Sequence, residues 1–292
     1  IFVLRQGSLK SRSSLDSFFS RESAFLVQNV LFLLIAFVTL WGTIFPIFSE
    51  AYDGTTMTIG QPFFNKVNGP LMLILILLMG IGPLLPWRRA TWAGAIRMVR
   101  FPVIALVMTG ILLYFFGIRE VWALLAFSIC IFSGVGMLQE WVRGTYSRTK
   151  RGENIVIAFF KLIFANRPRY GGYIVHIAIL MLACGVVASS FYSSQTDLVL
   201  ELGDTEKFGQ YTFNYVDIET TLYPDRIEEI AVFDVWKGKG FIGRMYPYRA
   251  TYPEFNIAAT RGAINSSLIE DFYLVPSEFG DNGRGVFRVL IN

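Results

Sequence analysis

One histidine is available for chemistry in the whole sequence, His176, in the stretch Arg167-Pro-Arg-Tyr-Gly-Gly-Tyr-Ile-Val-His176. It stands a few residues inside an apolar run, just past a basic approach. An imidazole in hydrocarbon is costly and needs a partner, and that makes it a candidate functional residue. Two readings stay open from the residues alone. The ring is either hydrogen-bonded to a neighbouring helix or engaged with a cofactor or proton. No Asp, Glu or second His shares its helix, which argues against a self-contained proton relay. A single imidazole still suffices as one axial ligand of haem iron, the other coming from another segment. Arg167 and Arg169 are then near enough to meet haem propionates, or they are simple membrane-flanking charges.

Other chemistries are bounded by what the chain lacks. One histidine allows no Ser-His-Asp arrangement. The two cysteines, Cys130 and Cys184, sit in separate apolar runs without CxxC or metal-finger spacing. No CxxCH haem-attachment motif is present, and no phosphate-cradling glycine loop. Gly134-Val-Gly136 and Gly171-Gly172 read as sites of close helix packing. Lys237–Lys239 and Arg244-Met-Tyr-Pro-Tyr-Arg249 read as turn and strand-edge structure, with a partner-binding surface as the alternative.

These residues are positioned by a strongly apolar chain. Of 292 residues, 53% are hydrophobic and 16% charged, against about 25% charged in soluble domains. Apolar runs long enough to cross about 30 Å of hydrocarbon are expected at 24–48, 68–87, 101–116, 121–142 and 171–192. Gln28 and Asn29 near the first entrance suit hydrogen bonds to a neighbouring helix. Pro83 is expected to kink the second span, and Trp87, Arg88, Arg89 and Trp92 to anchor it at the interface. The run 155–164 is too short to span and is expected to lie in the interface as an amphipathic helix.

Charge gives an orientation. The basic arm before the first span, the 88–100 loop and the 143–169 segment hold fifteen Lys and Arg, whereas the alternate loops hold Lys66 and Arg119. The positive-inside rule therefore predicts a cytoplasmic N-terminus, five spans, and a far-side location for everything after Tyr192. The overall charge of +4 belongs to these loops, so nucleic acid is not an expected partner. Residues 193–292 change character. Nine basic and fifteen acidic residues alternate with strand-like runs at Leu198–Leu202, Gln210–Ile218, Ile230–Trp236 and Gly285–Ile291, predicting a small mainly-β domain. The expected fold is thus an α-helical multi-pass membrane region, 1–192, followed by an extracytoplasmic mainly-β domain, 193–292. A start at Ile1 and an end inside a strand-like run suggest a piece of a longer polypeptide.

Four motifs in order carry a family resemblance. Ser20-Arg-Glu-Ser-Ala-Phe25 with Gln28-Asn29, then Ile59-Gly-Gln-Pro-Phe-Phe-Asn65 with Leu78-Met-Gly-Ile-Gly-Pro-Leu84, then Arg169-Tyr-Gly-Gly-Tyr-Ile-Val-His176, and finally Tyr246-Pro-Tyr-Arg249 with Ile269-Glu-Asp-Phe-Tyr273 resemble the C-terminal portion of the CcmF family. The resemblance implies a bacterial inner-membrane subunit of the cytochrome c haem lyase. Such a subunit receives haem transiently from a CcmE-type haem chaperone and helps attach it to the CxxCH motif of apocytochrome c. A CcmH-type thiol-reducing protein is the implied partner. It also implies that His176 is an axial ligand of haem b, beside which the position of Arg167 and Arg169 leaves them as the candidate propionate contacts. The family's other three haem-binding histidines and its Trp-rich segment are not among these residues, so lyase activity is not expected of this piece alone. A transporter or permease-type membrane protein with an extracytoplasmic domain is the rival expectation.

Overall fold

The computed structural model describes residues 20–85, 92–255, 257–267, 270–280 and 283–292. The basic arm before Ser20, the Trp87-Arg88-Arg89 anchor and Ile269 lie outside these residues. Two compact units divide at Val187/Ala188.

The first unit is helical. Its elements are α1 (Arg21–Asp53), α2 (Gln61–Ile81), α3 (Trp92–Phe115), α4 (Val121–Thr149), α5 (Ile155–Ala165) and α6 (Arg167–Tyr192). All but α5 are long and apolar enough to cross a membrane. Ser20 caps α1 by accepting a hydrogen bond from the Ser23 N–H at 3.2 Å, and Glu22 lies in the positive first turn. Gly54, at φ 67°, ends the helix with a left-handed residue that donates to the Glu50 carbonyl.

Pro83 ends its helix outright. α2 stops at Ile81 and tightens into a 3-10 turn over Gly82–Leu84. The carbonyls freed there are taken up by Arg21, which donates to Gly82, Pro83 and Leu85 oxygens at 3.2, 3.0 and 3.1 Å. A buried helix end needs such partners, and this guanidinium ties the start of α1 to the end of α2.

The central helix is α4, with 44% of its apolar window buried, against 6–11% for the other four long helices. It packs on α2, α3 and α5. Small residues make this possible. A Cβ on Gly80 would fall 2.6 Å from the Ser133 Cα, so α2 and α4 touch backbone to backbone, and the Ser133 hydroxyl donates to the Ile76 carbonyl at 2.9 Å. Gln139 reaches α3 through the Met98 carbonyl, 3.0 Å away. Interhelical bonds of this kind satisfy polar groups that lipid cannot.

The second unit is a β-sandwich with ten antiparallel strands among the described residues. One sheet has the order β1 (Ser194–Leu200), β10 (Gly285–Ile291), β9 (Asp271–Phe279), β8 (Ala263–Ser266). The other runs β2 (Thr205–Phe208), β3 (Tyr211–Leu222), β4 (Ile227–Lys237), β6 (Tyr248–Tyr252), β7 (Ile257–Arg261), with β5 (Gly240–Met245) also paired to β4. Period-two alternation sends Tyr211, Phe213 and Tyr215 inward from β3, Phe272 and Leu274 from β9, and Phe287 and Val289 from β10. The rings interlock, Tyr211 stacked on Phe272 at 4.2 Å and Phe233 edge-on to Phe287 at 4.9 Å. The chain changes sheets at Gly262, where a Cβ would sit 2.8 Å from the Val275 side chain.

Candidate functional site: His176 on the last long helix

α6 runs antiparallel to α4, and three contacts fix the register between them. Arg169 pairs with Glu140, Trp141 meets Tyr173 edge-on at 6.3 Å, and Gly134 faces Leu180. Cys130, Met137, Tyr170, Tyr173 and Leu180 form the buried cluster between the helices. Gly144 leaves room on α4 for the Tyr170 hydroxyl and Leu162.

His176 lies one turn beyond Tyr173, at the margin of this packed face, and is half-buried. It stands about 14 Å along the axis from Arg167 at 1.5 Å per residue. Its Nδ1 is buried and, among the described residues, has no hydrogen-bond partner. The hydrogen-bonded-core reading of this histidine thus lacks its bond at that nitrogen. Gly172, one turn before His176, has open space where a side chain would project. A broad planar group can therefore approach the helix backbone beside the ring, as glycine permits.

The two arginines behave differently. Arg169 is engaged, with Nε donating to the Tyr173 hydroxyl at 3.0 Å and a terminal nitrogen donating to Glu140. Arg167 stacks its guanidinium 5.5 Å from the centre of the Phe164 ring. The helix geometry therefore groups Arg167, Arg169 and His176 on one element, with Arg169 also serving as its tether to α4.

Sequence reasoning left the cysteines in separate runs. The fold brings Cys130 of α4 and Cys184 of α6 to the same apolar cluster as free thiols. Their meeting follows from antiparallel register, which no local spacing encodes. Among the described residues, no three His, Cys, Asp or Glu side chains gather to hold a metal ion.

A long-helix membrane unit joined to an antiparallel β-sandwich defines the class as a multi-pass membrane protein with a folded β-domain. Residues 191–292 match the family model described as the CcmF C-terminal beta-sandwich. The cytochrome c-type biogenesis protein CcmF of Pseudomonas aeruginosa is 27% identical over all of this chain and 43% of its own length. CcmF of Escherichia coli is 24% identical over 99% of this chain and 43% of its own length. A solved structure, "Cytochrome c Heme Lyase CcmF", has the same fold, with a TM-score of 0.70 over 94% of this chain and 43% of that one at 22% identity. Along its whole length the chain is similar to the C-terminal portion of these CcmF proteins, and the family model matches its β-domain. It spans about 43% of the length of these relatives.

Proposed function

We propose that this chain is the C-terminal part of the membrane subunit of a cytochrome c haem lyase, binding haem and helping to attach it covalently to the CxxCH motif of apocytochrome c. The observation that carries the reading is His176, a lone imidazole on a membrane helix with a buried Nδ1 left without a partner among the described residues. A ligating histidine is held by a bond from its second ring nitrogen. A group supplied from outside the described residues completes that pairing. The relatives' names, cytochrome c-type biogenesis protein CcmF among them, support this reading over a permease.

The residues fit haem b. His176 would provide one axial nitrogen, with the second axial ligand coming from outside this chain. The open flank at Gly172 would accept the porphyrin plane. Arg167 would face a propionate, and Arg169 would do so while sharing its charge with Glu140. When bound, the haem supplies a one-electron iron couple. The protein's own contribution is to hold the imidazole in position and exclude water, through the Tyr170, Tyr173 and Trp141 packing.

The remaining parts follow the same reading. The protein lies in the bacterial inner membrane with its N-terminal side cytoplasmic and the β-sandwich in the periplasm. There the acidic sandwich meets basic apocytochrome c, a CcmH-type thiol-reducing partner and a CcmE-type haem chaperone, with charge complementarity assisting encounter. The attachment chemistry requires the portion of the family that these residues do not include.

The test is the visible absorption spectrum of the purified full-length protein, with and without His176→Ala. A six-coordinate b-type spectrum is expected in the parent and its loss in the variant. Survival of that spectrum in His176→Ala overturns the ligand assignment.

A further inference from the structure

The short helix α5 presents a surface that the haem reading does not use. Its eleven residues extend about 16 Å at 1.5 Å per residue, half of what a bilayer core requires. One side is fastened to α4, where Ala158 is fully buried and Phe159 meets Trp141 at 5.9 Å. The Asn154 side chain caps its start by accepting the Val156 N–H at 3.0 Å. The other side carries Val156, Ile157, Phe160 and Phe164, which share one helical face and are 52–63% exposed. Four large apolar side chains on a helix too short to span need an apolar medium at the level of the helix ends.

The charges around α5 decide which medium. Glu153 accepts from both Arg148 and Lys161, at 3.0 and 3.4 Å. Glu140 takes Arg169, with Arg143 at 3.9 Å. Among the described residues, these are the carboxylates of this corner, and both are occupied. Among the described residues, Lys150, Arg151 and Arg167 are left with no carboxylate in salt-bridge range. Lys150 instead lies 4.9 Å from the Tyr146 ring centre, its charge uncompensated. An apolar face bordered by unneutralised cations is complementary to anionic phospholipid, acyl chains on one side and phosphates on the other.

We propose that α5 lies flat in the bilayer interface and, with Lys150 and Arg151, binds the headgroups of anionic phospholipids. The inference rests on the five long helices crossing a bilayer and is independent of haem ligation by His176.

The experiment uses the purified full-length protein in neutral detergent, titrated with phosphatidylglycerol or phosphatidylcholine and followed by native mass spectrometry and thermal unfolding. Phosphatidylglycerol is expected to be retained selectively and to raise the Tm, an effect that shrinks in high salt. The K150Q/R151Q variant is expected to bind it roughly tenfold or more weakly, since each basic residue near an anionic surface contributes appreciably to binding. Equal retention of the two lipids by the parent protein overturns the proposal. So does an unchanged affinity in K150Q/R151Q, or an equal Tm rise with soluble glycerol phosphate, which would mark an adventitious anion only. The b-type spectrum, read in the same samples, reports on His176 alone and keeps the two readings separable.

Discussion

Glu140 in the last third of α4 and Arg169 near the start of α6 form an ion pair that joins the central helix to the helix carrying His176. The carboxylate side chain is only 12% exposed and the guanidinium 39%, and Arg169 also donates to the Tyr173 hydroxyl at 3.0 Å. The pair therefore sets the rotation and height of α6 at one end, while Tyr173 and Leu180 set it further along.

Glu140→Gln should consequently loosen α6. A surface pair is worth about 0–1 kcal/mol and breaking a buried one costs about 3–5 kcal/mol, so a half-buried pair is expected to cost about 1–3 kcal/mol. Thermal unfolding of the full-length protein measures this. Arg169→Lys keeps the charge but loses the two-partner geometry, and a loss between that of the parent and of Glu140→Gln is expected. An unchanged Tm in Glu140→Gln would show that the pair contributes nothing.

Two glycines of α2 make opposite predictions. A side chain at Gly80 would meet the Ser133 Cα at 2.6 Å, whereas at Gly69 nothing lies within 4 Å. Gly80→Ala has to push α2 and α4 apart and is expected to cost about 1–3 kcal/mol or more, the range for overpacking. Gly69→Ala meets nothing on a neighbouring helix, and the gain from removing a flexible helical glycine is offset by crowding against the Pro70 ring that follows it, so a change within about 1 kcal/mol is expected. Comparable Tm values for the two variants would contradict the close approach at Ser133.

Much of the architecture is legible in the residues. Five long apolar runs followed by a β-rich stretch is the fold observed, because a spanning helix announces itself by length alone. The sandwich is legible only in part. Its central strands alternate cleanly, as at Tyr211, Phe213 and Tyr215. The flanking strands β5 to β7 are short and interrupted by Gly243, Arg244 and Arg249, and β9 contains Pro276, so their strand character comes from partners rather than from pattern. At the site, His176 stands out as the one histidine. The α4 partners of its helix, Glu140 against Arg169 and Trp141 against Tyr173, do not, because antiparallel register between helices leaves no local trace. Glu140 sits near the end of the expected span 121–142, where a carboxylate reads as an ordinary boundary charge, although the helix runs on to Thr149.

The core of the sandwich contains one misfit. Tyr215 is fully buried, stacked on Phe233 at 5.0 Å, yet its hydroxyl has no hydrogen-bond partner. Burial, with the nearby Asp217 and Glu229 charges, raises its pKa to about 12. An unsatisfied buried hydroxyl costs about 1–3 kcal/mol by mutational measures. Tyr215→Phe keeps the ring stacking and is therefore expected to leave stability unchanged or raise it. Phe233→Ala, removing the ring it stacks on, is expected to cost about 3–5 kcal/mol. A marked drop in the Tm of Tyr215→Phe would mean that the hydroxyl has a partner in solution.

Acid should act on the sandwich in two opposing ways. The hydrogen bond from Lys237 holds the Glu270 carboxyl below its ordinary value, and Arg288 does the same for Asp197. A carboxylate with a depressed folded pKa stabilises the fold above its unfolded pKa, near about 4, and that contribution is lost as the pH falls through the folded value. Glu229 has the opposite sign. Burial raises its pKa, only partly offset by Arg249, so the folded state favours its protonated form and gains stability as the pH falls through the raised value toward the unfolded one. Glu229→Gln should therefore raise the Tm of the full-length protein at neutral pH and give less benefit as the pH approaches about 4. Glu270→Gln should lower the Tm at neutral pH, with the difference vanishing in acid. Hydrogen exchange across β3, β4 and β9, followed against pH for the two variants, separates the contributions. The same pH dependence for both would refute the assignment of opposite shifts.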